Sequence, residues 1–165
     1  MKYRVTLQTL PKTPEELKAM PEAALKKPEE TAALTVAALC AYPQDPEACC
    51  AMLDFLRGPR PLSGMEKQFL RDRFLDGRDY IPRSYFEGAT PENGYTPNVP
   101  YTVELSDSAA QFAESGYKRF DVRSGGADSP RQITLRLKPS TGEWFLWEQM
   151  LLVQIRVPKS EDPWA

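Results

Sequence analysis

Residues 123–149, RSGGADSPRQITLRLKPSTGEWFLWEQ, bring together paired glycines, an Asp-Ser-Pro turn, three arginines and two tryptophans. Backbone amides at Ser124, Gly125 and Gly126 can form a concave nest for an anion, and Arg123 and Arg131 flank them. No helix follows the glycines, so neither a phosphate-binding loop nor a dinucleotide fingerprint is present. Gly, Asp, Ser and Pro are also what hairpin turns require. On that plainer reading, at least one of the two glycines sits at positive φ and Asp128 caps the turn with its own side chain.

The chain has no histidine, which removes the Ser-His-Asp and Cys-His relays and most zinc sites. A general acid or base must then be a carboxylate, Lys, Tyr or Cys with a shifted pKa. Glu87, Glu92, Asp128 and Glu148 are available, with Tyr85 close in number to the first two, but no spacing singles out a pair. No catalytic residue, metal or cofactor is predicted. Cys40, Cys49 and Cys50 lie in predicted helices without a Cys-x-x-Cys spacing. They read as reduced, buried apolar residues rather than a redox or soft-metal site.

The arginines form a pattern. In two-residue periodicity Arg119, Arg123, Arg136 and Arg156 all leave a sheet on the face away from its apolar residues. Residues 117–165 hold eight Lys+Arg against six Asp+Glu, and the rest of the chain thirteen against seventeen. A cationic sheet face of this kind suits an acidic partner or an anionic small molecule, because guanidinium forks grip carboxylate and phosphate at two points. The alternative is a solvated face with cross-strand ion pairs. Trp144 and Trp147 have opposite parity, so one faces the core, and the other is a candidate anchor together with Trp164. The candidate binding set is Arg119, Arg123, Arg131, Arg136, Arg156, Tyr85 and Trp144.

These residues need a scaffold. Thr13-Pro14 with Glu16, Pro28 with two glutamates, Asp45-Pro46, and Ser63 with Glu66 each mark a helix start. Pro21, Pro43, Gly58-Pro59 and Gly77 mark the stops. The helix at 28–42 is apolar nearly all round, as a central buried helix should be. The next carries a stripe of Cys49, Met52, Leu53 and Leu56, and the last should bury Met65, Phe69, Leu70 and Phe74. Residues 79–101 read as a long loop, but Tyr80, Tyr85, Phe86 and Tyr95 predict that it is packed down. Alternation then predicts strands at 101–105, 117–123, 131–137 and 143–157, the last either one bent strand or two pieces broken near Glu148. Its second half should point Leu151, Val153, Ile155 and Val157 inward.

The expected fold is α+β: about four N-terminal helices packed on one face of a C-terminal antiparallel sheet of four to five strands. The expected organisation is a single domain over 1–165, helical to residue 77, a packed loop at 78–100, the sheet at 101–157 and a tail at 158–165. Composition agrees with a globular domain, 41% hydrophobic and 27% charged. A net charge of −2 argues against a dedicated nucleic-acid or membrane-surface role. The opening MKYRVTLQTLPKTPEEL lacks an apolar signal core, so the expected location is cytoplasmic. The oligomeric state is not legible.

The phrases LRGPRPLS, SYFEGATPENGYTPNVPYTV, SGGADSPRQITLR and STGEWFLWEQ, with IRVP and EDPWA after them, resemble a family of small bacterial proteins of unknown function from gut Firmicutes. The resemblance covers about Pro28 to Ala165 and implies an intracellular bacterial protein. It carries over no activity, cofactor or catalytic residue. On function the residues therefore stand alone. They favour a binding or interaction module presenting its arginine face. The alternative is a small histidine-independent enzyme using Tyr85, Glu87 or Glu92 near the loop.

Overall fold

A computed structural model describes all 165 residues. The chain opens with a strand, β1 (Lys2–Leu7), and then forms four helices: α1 (Pro14–Lys18), α2 (Pro28–Cys40), α3 (Pro46–Arg57) and α4 (Gly64–Arg73). Short 3-10 turns at Arg78–Tyr80, Pro82–Tyr85 and Pro91–Asn93 lead to β2 (Tyr101–Asp107). A meander of β3 (Tyr117–Val122), β4 (Arg131–Lys138) and β5 (Glu143–Gln149) completes the sheet. Its order is β1-β2-β3-β4-β5 and every pair is antiparallel. The architecture is α+β, as the periodicities predict.

The fifth strand is not where the pattern places it. It is the N-terminal KYRVTL, which pairs with β2 from Lys2↔Ser106 to Leu7↔Tyr101. Residues 150–157, expected to alternate as a strand, form none. Leu151 and Leu152 are both buried although adjacent, Val157 is exposed, and Gln154 sits at φ +49°. Adjacent burial and a left-handed residue are incompatible with a regular strand. Side chains hold this strap instead: the Arg131 guanidinium donates to the carbonyls of Val153 and Gln154, both at 2.8 Å.

The helices start where their caps are. Thr13 and Asp45 accept from the amides of Glu16 and Ala48 at 3.1 Å, and Ser63 and Glu66 complete a reciprocal capping box. Helix α2 is buried continuously from Thr31 to Leu39 and lies across the sheet, where the Thr31 hydroxyl donates to the Trp144 carbonyl at 2.8 Å. Helix α3 packs beside it through Cys49, Met52, Leu53 and Leu56. Helix α4 departs from expectation: Leu70 and Phe74 are buried, but Met65 is 85% exposed and Phe69 41%. The helix touches the body along one narrow edge, with Phe74 stacked on Tyr42 at 4.5 Å. One core cluster runs from Val5 and Leu7 through α2 to Leu146 and Ile155.

The 79–101 segment is packed down as predicted. Tyr80, Tyr85, Phe86 and Tyr95 are all buried. Three of them clasp the strap, with the hydroxyls of Tyr80, Tyr85 and Tyr95 donating to the carbonyls of Ile155, Leu151 and Arg156.

Candidate functional site

Residues directly opposite in an antiparallel ladder share a face. The register therefore places Arg4, Glu104, Asp121, Arg119, Thr134, Arg136 and Phe145 on the side away from the helices. This outer face divides into two regions of different character.

Over β1–β3 lies an open groove of about 700 Å³ whose ionic lining is balanced, with Lys2, Arg4 and Arg123 against Glu104, Asp121 and Asp128. Arg4 grips Glu87 with two bonds, of 2.7 and 2.8 Å. That bidentate hold is the main cause keeping Glu87 below the usual carboxylate range, and Glu104, which shares a hydrogen bond with Glu87, is raised. The groove is a solvated sheet face whose positive and negative side chains balance in number.

Over β4–β5 the character becomes aromatic and basic, and a β-bulge lies within it. Thr134 pairs with Glu148 and Leu135 with Leu146, so Trp147 is the extra residue. Counting from Phe145, which lies opposite Arg136, alternation sends Trp147 outward, and the bulge brings Glu148 opposite Thr134 onto the same face. Trp147 turns onto the outer face, where its ring meets Tyr117 edge-on at 5.6 Å, and Phe112 continues the row at 4.9 Å from Tyr117. Guanidinium groups interleave with the rings. Arg119 lies over Phe112 at 4.4 Å, Arg136 over Tyr117 and Trp147 at 5.3 and 4.6 Å, and Arg60 over Trp147 at 3.9 Å. Such contacts contribute about 0.5–1 kcal/mol each at exposed sites.

Arg60 comes from the turn after α3, which wraps the free edge of β5. Gly58 makes the approach possible: its φ is +61°, and a Cβ there would lie 2.5 Å from the Phe145 ring. Between this turn and the β4–β5 hairpin lies a cleft of about 380 Å³. Its charged lining is Arg57, Arg60, Arg136 and Lys138, without a carboxylate, over a floor that includes Phe145, Leu146 and Trp147. Arg57 is spent on Glu66 at 2.8 Å. Burial lowers its pKa, and Glu66 opposes that shift. Arg60, Arg136 and Lys138 are in no ion pair of the chain.

The structure separates the seven candidate residues named from sequence. Arg119 and Arg136 do leave the outer face. Arg119 is largely committed, to Thr134 at 3.1 Å, the Ala110 carbonyl at 3.0 Å and Glu148 at 3.4 Å. Arg123 follows the end of β3, exposed in the balanced groove. Arg131 anchors the strap. Arg156 belongs to no strand, a correction to its expected place on the sheet, and pairs with Asp128 at 3.0 Å. Tyr85 is buried with its hydroxyl on Leu151. Trp144 packs against the core and bonds through its backbone to Leu25 and Thr31, so Trp147 is the outward tryptophan. Trp164 is 92% exposed in the tail.

The anion nest does not form. The Gly125 amide donates to the Ser84 carbonyl at 2.8 Å and the Gly126 amide to the Ser124 hydroxyl at 3.1 Å. Neither glycine is at positive φ, and the Asp128 carboxylate accepts from Arg156 rather than capping its turn. Sequence reasoning missed Arg60, Lys138 and Trp147 as a group. In the sequence Gly58-Pro59 reads only as a helix stop, and the meeting of this turn with β5 is a tertiary fact.

No curated protein and no solved structure matches the chain. A family model matches residues 9–159, beginning earlier than the resemblance drawn from the sequence phrases. The chain belongs to the family described as Domain of unknown function (DUF6935).

Proposed function

We propose that this protein is a binding module that captures an anionic ligand in the cleft between the turn after α3 and the β4–β5 hairpin. The observation that carries the reading is the lining itself: three cations in no ion pair, no carboxylate, and an outward tryptophan. Unpaired guanidinium and ammonium groups beside a low-dielectric aromatic wall attract anions more strongly than the same groups in open water. A free small anion and the acidic side chains of a protein offer the same chemistry to this lining. The resemblance to bacterial proteins and the three free cysteines support an intracellular bacterial setting.

The test uses tripolyphosphate and polyglutamate as probes, read by tryptophan fluorescence at low ionic strength. Wild type should bind both with an affinity that falls as salt rises. The double variant Arg136→Glu, Lys138→Glu alters two exposed side chains and should keep its circular dichroism while losing at least about tenfold in affinity. Equal binding by the variant overturns the proposal.

A further inference from the structure

We infer that the cleft takes an anion carrying a flat aromatic ring, with the ring seated on Trp147 where Arg60 now lies and the anionic group directed to Arg136 and Lys138. The inference rests on the proposed binding function and narrows it to a class of ligand.

Arg60 occupies the slot in a replaceable way. Its guanidinium carbon lies 3.9 Å from the Trp147 ring centroid, a separation that a flat aromatic ring on the indole would also take. The side chain is exposed, makes no ion pair, and donates to the Trp147 carbonyl, while the Arg60 backbone carbonyl accepts from the Arg57 side chain at 2.9 Å. An aromatic ring on the indole face recovers the stacking that the guanidinium gives up. Released from the ring, the same guanidinium becomes a further cation for the ligand.

The slot is also a junction. A second hollow of about 260 Å³ lies on the α4 side of Arg60 and shares Arg57, Arg60, Leu146 and Trp147 with the first. Its floor adds Leu53, Leu62 and Phe69, and its charged rim includes Glu66 and Glu148. Moving the Arg60 side chain joins the two spaces into one channel along β5. The channel is polarised, cationic at the hairpin end and carboxylate-rimmed with apolar walls at the α4 end. A ligand seated there points its anion toward Lys138 and its uncharged ring system toward Phe69. The partly exposed Phe69, stacked with Arg73 at 4.9 Å, then has a face to offer.

The experiment compares three probes on the full chain: 2-naphthoate, octanoate and the neutral 2-naphthamide. Calorimetry should show 2-naphthoate binding at least about tenfold more tightly than either of the others, since each lacks one of the two recognised features. Trp147→Leu should abolish the preference of 2-naphthoate over octanoate while leaving tripolyphosphate binding in place. If octanoate and 2-naphthoate bind equally while tripolyphosphate still binds through Arg136 and Lys138, the aromatic inference fails and the anion-binding function stands. If none of the anions binds wild type, both fail. The wild-type series decides the matter even where Trp147→Leu is too unstable to assay.

Discussion

Gly125 and Gly126 show how a residue can be recognised as special for the wrong reason. Paired glycines between strands read as a turn that needs positive φ, yet both adopt ordinary backbone angles. They are glycines because the 79–101 segment and the strap come too close for a Cβ. At Gly125 that atom would collide with the Ala89 carbonyl, and at Gly126 with the Tyr95 hydroxyl and with Ile155 Cγ2 at 2.6 Å. Gly126→Ala should therefore destabilise the fold by about 1–3 kcal/mol, as overpacking a filled site does, and urea denaturation reads that cost. A change under half a kcal/mol would mean that Tyr95 and Ile155 yield freely. The sequence marked the position but not the cause, because close approach depends on residues some thirty positions away in either direction. Parity along EWFLWEQ leaves open which tryptophan faces out, and the bulge breaks the count only after Trp147, where it brings Glu148 to the outer face.

The aromatic segment and the strap form one unit at the scale of elements. The strap has no ladder partner along its length, so its carbonyls are met by Arg131 and by three tyrosine hydroxyls. Burial is the first cause raising the phenols above their ordinary 10.0, with Tyr95 pushed up to about 12. A phenolate cannot donate the bond that its carbonyl needs. Below pH 10 both folded and unfolded chains keep these protons. Between about 10 and 12 the unfolded chain releases them and the folded chain does not, so unfolding gains with every rise in pH. The contribution is complete below pH 10 and is lost as pH climbs through the folded value. The cysteine thiols, also held by burial above their ordinary 9.0, should make the urea midpoint fall from about pH 9, and Tyr95→Phe should fall less steeply than wild type over pH 10 to 11. Equal slopes for Tyr95→Phe and wild type over pH 10 to 11 would show that the clasp does not depend on the Tyr95 proton. The packing of this segment was legible from its four aromatics. Its partner was not, because LLVQIRV alternates on paper while its structure buries two neighbours in a row.

For the whole molecule the decisive feature is the pairing of the two ends of a long excursion. The helices and the aromatic segment, residues 8–100, are spent between β1 and its partner β2, whereas residues 108–116 suffice between β2 and β3. KYRVTL alternates as cleanly as any strand in the chain, but nothing local says that its edge belongs beside Tyr101–Asp107. Loop closure grows as the logarithm of length, so joining β1 to β2 costs about 2 kcal/mol more than joining β2 to β3 from an unfolded chain. Local helices and the β2–β5 meander reward folding earlier. Strand β1 should accordingly dock after the main barrier. Val5 tests this, since it is buried in β1 and faces Val103 across the pair. Val5→Ala removes core contacts and should destabilise the protein by about 1–3 kcal/mol. Stopped-flow refolding in urea should place nearly all of that loss in a faster unfolding rate, with the folding arm almost unmoved. Leu135→Ala, in the central hairpin region of the meander, is the contrasting case and should slow folding. A folding rate that drops for Val5→Ala as much as for Leu135→Ala would instead make the long-range β1–β2 contact part of the nucleus, and the helical excursion would have to be drawn in before the sheet is built.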